Sequence, residues 1–220
     1  RPVEKQNRFR AANGLNGDFV VMFAGNLGFI AMLDNVIETA RLLKNDPNIQ
    51  FLIVGEGNAK AGLVHRASEL GLSNVRFLPT QPKDVLPEML GAADVSLVTL
   101  NKQLGQLNVP SKTYSIMASG RPVLASVPPD SEIASLIKTA DCGVGVPPED
   151  PASMADAILR LANQPEQLRQ FGANGRRYVE EHLSRRKVTA QYNELLHEVA
   201  AKSEQPTLGQ SVRKHDEQDF

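Results

Sequence analysis

Short apolar runs rich in β-branched residues recur along this 220-residue chain, and stretches with apolar residues at helical spacing lie between them. This alternation most restricts the fold, because parallel strands need a long crossover between them and a helix commonly supplies it. The runs predict strands at Phe19 to Ala24, Phe51 to Val54, Val75 to Leu78, Val95 to Val98, Val123 to Ala125 and Gly143 to Val146. Such a series suits an α/β fold with a Rossmann-like, doubly wound parallel sheet.

Between strands, Leu33, Val36, Ile37, Ala40 and Leu43 fall on one helical stripe and leave Glu38 and Arg41 outside. Met154, Ala157, Ile158 and Leu161 mark another helix. Pro151 can start it because the first turn does not need the missing N–H, and Asp150 can cap it. From Pro165, Leu168, Phe171, Tyr178 and Val179 continue the pattern. After a break near Ser184 come Val188, Tyr192, Leu195, Leu196 and Val199, so two extra C-terminal helices are expected. The domain is predicted to span 19–201. Residues 1–18 read as a polar interdomain linker, with the chain a fragment of something longer, and 202–220 as a polar, disordered tail.

With 24 basic and 25 acidic side chains, no global field draws the protein to nucleic acid, so any anion site must be local. A single cysteine, Cys142, excludes an intramolecular disulfide framework and a cysteine-rich zinc site. No apolar run approaches the roughly 20 residues needed to cross a bilayer, and the polar start carries no signal-peptide core. A cytoplasmic location is expected.

In open parallel sheets, ligands bind beyond the carboxyl ends of the strands. After the first strand, Gly25, Asn26, Leu27 and Gly28 let the backbone turn tightly and approach a phosphate, or simply form a tight turn. After the second, Gly55, Glu56 and Gly57 resemble the opening of a dinucleotide fingerprint, but its third glycine would fall at Lys60. The most informative segment runs from Asn108 to Val123. There Pro110 and Ser111 can begin a helix and turn the N–H groups of Ser111, Lys112 and Thr113 outward, with Lys112 as a mobile cation beside them. The bland alternative is a capped helix with a solvated lysine.

Val109-Pro-Ser-Lys followed by Met117-Ala-Ser-Gly-Arg-Pro-Val-Leu-Ala resembles the donor-site helix and next strand of the group 1, family 4-like bacterial glycosyltransferases. Phe23-Ala-Gly-Asn-Leu-Gly, Leu52-Ile-Val-Gly-Glu-Gly, Asn74-Val-Arg-Phe-Leu-Pro, Ala92-Ala-Asp-Val-Ser-Leu and Cys142-Gly-Val-Gly-Val-Pro-Pro-Glu-Asp fit the same family in order. The resemblance covers about Phe19 to Val199. It implies the C-terminal, donor-binding half of a retaining GT-B enzyme, whose N-terminal acceptor domain is not in this chain. It further implies a diphosphate held by Gly25 to Gly28, Pro110, Ser111 and Lys112, with Ser111 and Lys112 acting in catalysis. Backbone groups of Arg76, Phe77, Leu78 and Pro79 would lie against the nucleobase, and Gly55, Glu56 and Gly57 would line the nucleotide side.

Departures accompany the match. The family usually carries two glutamates near the sugar and ribose hydroxyls, where this chain has Ser115 and Leu107. A serine can hydrogen-bond a hydroxyl but supplies no carboxylate. Asn26 stands at a usual arginine position, and no lysine follows it, which leaves Lys112 as the principal cation. A Pro-Ser-Lys subgroup resembling aminosugar transferases of surface polysaccharide assembly keeps such a pattern.

Other signals are weaker. His65, His182, His197 and His215 lack metal-ligand spacing, and no Asp-x-Asp or Gly-x-Ser-x-Gly occurs, so neither a required metal nor serine hydrolysis is expected. Glu132 follows the fifth strand and could face the cleft, while Ser131 or Asp130 caps the next helix. Arg176, Arg177, Arg185, Arg186 and Lys187 form a solvated helix face or meet anionic lipid at the inner face of the membrane. The expected activity is sugar transfer from a nucleotide-diphosphate sugar, UDP-linked, to a lipid-linked or saccharide acceptor in surface polysaccharide synthesis. No cofactor beyond that donor, and no nucleic acid, is implied. The alternatives are a non-catalytic nucleotide-binding or scaffold module and, third, an NAD-dependent oxidoreductase.

Overall fold

The computed structural model describes residues 3–15, 17–103 and 109–203. Its parallel sheet runs β3-β2-β1-β4-β5-β6, from β1 (Phe19–Ala24), β2 (Ile49–Val54), β3 (Val75–Leu78), β4 (Val95–Thr99), β5 (Val123–Ser126) and β6 (Gly143–Val146). Every expected strand is present. Three have the expected limits, while β2 begins two residues earlier and β4 and β5 each run one residue further. The register pairs Met22 with Leu52 and Ser96, and Ser96 with Val123, so these residues share one face.

The two faces are covered by different helices. On one, Val21, Phe23, Phe51, Ile53 and Leu97 pack with residues from α2 (Leu33–Leu42), α3 (Lys60–Glu69) and α7 (Pro151–Ala162). On the other, Val20, Met22, Leu52 and Val54 meet α1 (Arg8–Ala12) and α4 (Leu86–Gly91). Further along that face, Val98, Val123 and Ala125 meet α5 (Lys112–Ala118) and α6 (Glu132–Ala140). Burial on both faces explains why the inner strands β1, β2, β4 and β5 read as mostly continuous apolar runs and not as alternating ones. The helix-starting residues act locally as expected: Asp150 accepts the Ser153 N–H at 3.0 Å, and the Ser131 hydroxyl accepts that of Ala134 at 3.2 Å.

Helix α1 lies within the segment read as a linker, and its Phe9 and Arg10 are buried. All five N–H donors of the Arg10 guanidinium are used: they reach the carbonyls of Leu15, Ala92 and Asp18 and the Asp94 carboxylate. Asp94 also accepts the Val20 N–H at 2.8 Å and pairs with Lys5 at 2.6 Å. This network fastens the segment to the amino ends of β1 and β4.

The chain divides into two compact units, Arg1–Glu181 and His182–Phe220. The first carries the sheet and most of α8 (Pro165–His182); the second contains α9 (Arg185–Ser203), on which Tyr192, Leu195, Leu196 and Val199 are exposed. The two expected C-terminal helices are therefore present. The tail expected to be disordered lies outside the described residues from 204 onward.

Candidate functional site

The loop after β1 rests on the loop after β2. Gly25 donates its N–H to the Val54 carbonyl at 2.9 Å, Leu27 to Glu56 at 2.8 Å, and Ala59 donates to Leu27 at 2.9 Å. Gly55 makes the nesting possible, since a Cβ there would stand 1.9 Å from the Gly25 carbonyl oxygen, and its φ of +149° also favours glycine. Gly57 meets the Leu27 backbone in the same way. The apparent dinucleotide fingerprint thus serves loop packing. Lys60, in place of the third glycine, begins α3 and pairs with Glu56 at 2.7 Å.

Across the carboxyl edge of the sheet, α5 begins at Lys112 with Ser111 at its N-cap position. One expectation needs correction: the Thr113 N–H does not face outward but donates to the Pro110 carbonyl at 3.0 Å. The helix has only seven residues, so its dipole is short, and the cation itself dominates the local field. The Lys112 ammonium lies 3.4 Å from the centroid of the buried Phe23 ring and pairs with no carboxylate among the described residues. Desolvation by the surrounding cleft pushes its pKa down to about 8.

Two clefts meet at this lysine. The first, of about 510 Å³, lies between α4 and α5 and brings Gly25, Asn26, Gly55, Glu56, Ser111, Lys112 and Ser115 together. The second, of about 590 Å³, opens where the β1 and β4 loops diverge and includes Asn26, Gly28, Pro110 and Lys112. Strand β1 sends its connection one way and β4 the other, which is the switch point where such sheets bind ligands. Phe77, Leu78 and Pro79 line neither cleft, but Thr80 and Gln81, which follow them, line the first. Glu132 is an exposed residue at the start of α6 and lines neither. Leu107 lies outside the described residues.

Sequence reading missed the walls. Leu86, Met89 and Leu90 of α4, with Ser96 of β4, enclose the first cleft; Phe29, Ile30 and Thr99 border the second. Their amphipathic spacing could have marked Met89 and Leu90 as facing inward, but only the strand order brings α4 beside α5.

The basic run is partly committed. Arg176 bonds Glu180 and the Ala118 carbonyl, and Arg177 bonds Asn174. His65 lies 3.3 Å from Glu69, and Cys142 is buried, its thiol pushed up to about 11 by desolvation. Among the described residues no group of three or more His, Cys, Asp or Glu could hold a metal ion, and no helix is long and apolar enough to cross a membrane.

A six-stranded parallel sheet of this order, with glycine loops and a lysine at its switch point, defines a Rossmann-like ligand-binding domain. Residues 5–178 match the glycosyl transferases group 1 family, and the chain belongs to that family. It is 32% identical over 174 residues to WcaI of Escherichia coli (strain K12), named as a colanic acid biosynthesis glycosyl transferase, covering 79% of this chain and 42% of WcaI. It is also 32% identical to the D-inositol 3-phosphate glycosyltransferase of Saccharomonospora viridis, over 82% of this chain and 43% of that protein. The chain thus spans less than half the length of these relatives. Among solved structures, Anabaena HepE in complex with UDP superposes with a TM-score of 0.76 at 19% identity, over 87% of this chain and 52% of HepE. The C-terminal domain of the Francisella tularensis group 1 protein LpcC is covered to 95%, with 84% of this chain, at a TM-score of 0.68 and 19% identity. The fold is that of the C-terminal half of a GT-B protein.

Proposed function

We propose that this domain binds the nucleoside-diphosphate end of an activated sugar, UDP-linked, and serves a retaining transfer of that sugar to a lipid-linked or saccharide acceptor in surface polysaccharide synthesis. The observation that carries the reading is the Lys112 ammonium, desolvated and without a carboxylate partner among the described residues, where two clefts and a glycine loop converge. A diphosphate supplies the missing negative charge. UDP bound to HepE, a structure of the same fold, supports the choice of base.

In this reading the bond from the anomeric carbon to the diphosphate oxygen breaks, and the leaving oxygens gain negative charge. Lys112 donates hydrogen bonds to them and Ser111 adds its hydroxyl. Catalysis is then electrostatic stabilisation of a leaving group. The N–H groups of Gly25 and Leu27 are committed to the β2 loop, so the Asn26 and Gly28 N–H groups are the donors this turn offers. The acceptor is met by a further domain, and this chain alone binds donor without turning it over. Action at the inner face of the plasma membrane belongs to the same proposal.

A non-catalytic binding module is the second reading. Its motivation is that Glu56 is the only carboxylate among the described residues lining the two clefts, and it is paired with Lys60. Calorimetric titration of the folded chain with UDP, GDP and NAD tests the shared site. UDP binding is expected, with a loss of about 10- to 100-fold in Lys112→Ala, the range for a charge-assisted hydrogen bond. Equal affinity in the variant, or no binding by the wild type, would sink the proposal. Sugar transfer by the chain joined to its acceptor domain then separates enzyme from module.

A further inference from the structure

The end of strand β1 gives the α5 residue Lys112 surroundings that differ from those of an ordinary phosphate-binding lysine. Its ammonium does not float on a flexible stem in water; it lies over the face of Phe23, 3.4 Å from the ring centroid. Phe23 is fully buried and fixed by the core beneath it. On the next turn of chain, Gly25 leaves the space the ammonium occupies, because a Cβ there would stand 2.9 Å from Nζ. Two features of one strand end, a ring face below and a missing side chain beside, hold the same nitrogen.

We propose that Phe23 is a positioning residue, whose ring, with the gap at Gly25, forms a seat that holds the Lys112 ammonium charged and aimed at the junction of the two clefts. The inference rests on the diphosphate reading of that site. A ring face carries negative quadrupole and attracts a cation, most strongly where water is excluded. Without it, a half-buried ammonium facing no carboxylate would tend to lose its proton or turn its stem outward to water. The seat therefore fixes the cation before the ligand arrives and lowers the ordering cost on binding.

The groups around Lys112 make the ring the main local source of stabilisation. Strand β1 carries no titratable side chain, and neither does the turn from Gly25 to Ala31. The α4 residues lining the cleft are Leu86, Met89 and Leu90; Ser111 at the N-cap position and Ser115 and Ile116 of α5 line it beside the lysine. Glu56, from the β2 loop, shares the cleft but bonds Lys60. Against the ring, desolvation pushes the Lys112 pKa down.

The test replaces Phe23 by 3,4,5-trifluorophenylalanine, which keeps the ring's shape and apolar character but weakens the negative charge of its face. Binding of inorganic pyrophosphate and of UDP is measured by calorimetry across pH, in the full chain and in the Lys112→Ala background. Affinity for both is expected to fall about five- to tenfold near neutral pH. The pH at which binding is half lost should also move downward, and neither change should appear with Lys112→Ala. A merely structural role for Phe23 would leave that midpoint in place. Where wild type binds and Lys112→Ala does not, yet the fluorinated protein matches wild type in affinity and midpoint, the seat is refuted while the diphosphate site stands. If folded wild type binds neither ligand, both fall. Should the fluorinated chain not fold, Phe23→Leu, checked by thermal melting, is read by the same midpoint criterion.

Discussion

Two cations withdrawn from water stand at opposite ends of the sheet, and their surroundings could hardly differ more. At the amino end, Arg10 is wholly enclosed, and carbonyls and the Asp94 carboxylate take every N–H of its guanidinium. At the carboxyl end, Lys112 is half-buried against a ring face and a glycine, with no carboxylate paired to it among the described residues. The first charge is satisfied within the fold. The second has no carboxylate partner among the described residues, and in the proposed function a diphosphate takes that place. The contrast separates a charge used for structure from one that the proposed function assigns to a ligand, although both are basic residues in a chain of nearly zero net charge.

The largest effect should come from the structural cation. Arg10→Ala leaves the buried Asp94 carboxylate with the Val20 N–H and Lys5 as its partners and strands the Ala92 carbonyl. Removing one partner of a buried ion pair typically costs about 3–5 kcal/mol. Denaturant unfolding should show a loss of that order, with UDP affinity unchanged in the protein that remains folded. A loss below about 1 kcal/mol would break the comparison, because burial and full pairing would then not distinguish Arg10 from a surface residue.

Lys112 should instead be visible through pH. Its pKa is pushed down from 10.5 to about 8, so as pH rises the native state gives up this proton before the unfolded chain does. Across that window the unfolded state holds more protons, and this contribution to stability rises with pH. Below about 8 both states keep the proton and the contribution is flat. Diphosphate binding runs the other way, because it needs the ammonium and should weaken above about 8. Subtracting the pH profiles of Lys112→Met from those of wild type should leave these two opposite slopes. Parallel slopes, or none, would mean that the cation is not desolvated as the cleft implies.

How legible each region was follows from the same physics. The inner strands could be read because both faces of the sheet are covered there, which makes them mostly apolar runs. Ser131, Asp150 and Pro151 could be read because capping is local chemistry. Helix α1 could not: it has five residues, and its buried face includes an arginine, which periodicity assigns to solvent. Lys112, Gly25 and Ser111 were recognisable as loop chemistry after strands. Phe23 was not, because within β1 it is one apolar residue among several and only the crossing of α5 puts a cation on it. Gly55 and Gly57 carried a true signal of close approach, but the approaching group is the neighbouring loop.

The smallest effect sharpens the contrast from within the amino-end network. Lys5 also pairs with Asp94, at 2.6 Å, but its side chain is 40% exposed while that of Asp94 is 6% exposed. Water can replace what Lys5 provides, so Lys5→Ala should cost less than about 1 kcal/mol, the range of exposed pairs. The two bases share one carboxylate and should not be additive. Once Arg10 is gone, Lys5 is the only direct ion-pair partner of Asp94 among the described residues, with Arg121 acting on it from farther away, and removing Lys5 as well should cost more than in the wild type. A double-mutant cycle on Lys5 and Arg10, read by urea unfolding, measures that coupling. If the two single variants cost the same, distance to the carboxylate decides the energy and enclosure does not, and the claim that Lys112 is set apart by its desolvation loses its footing.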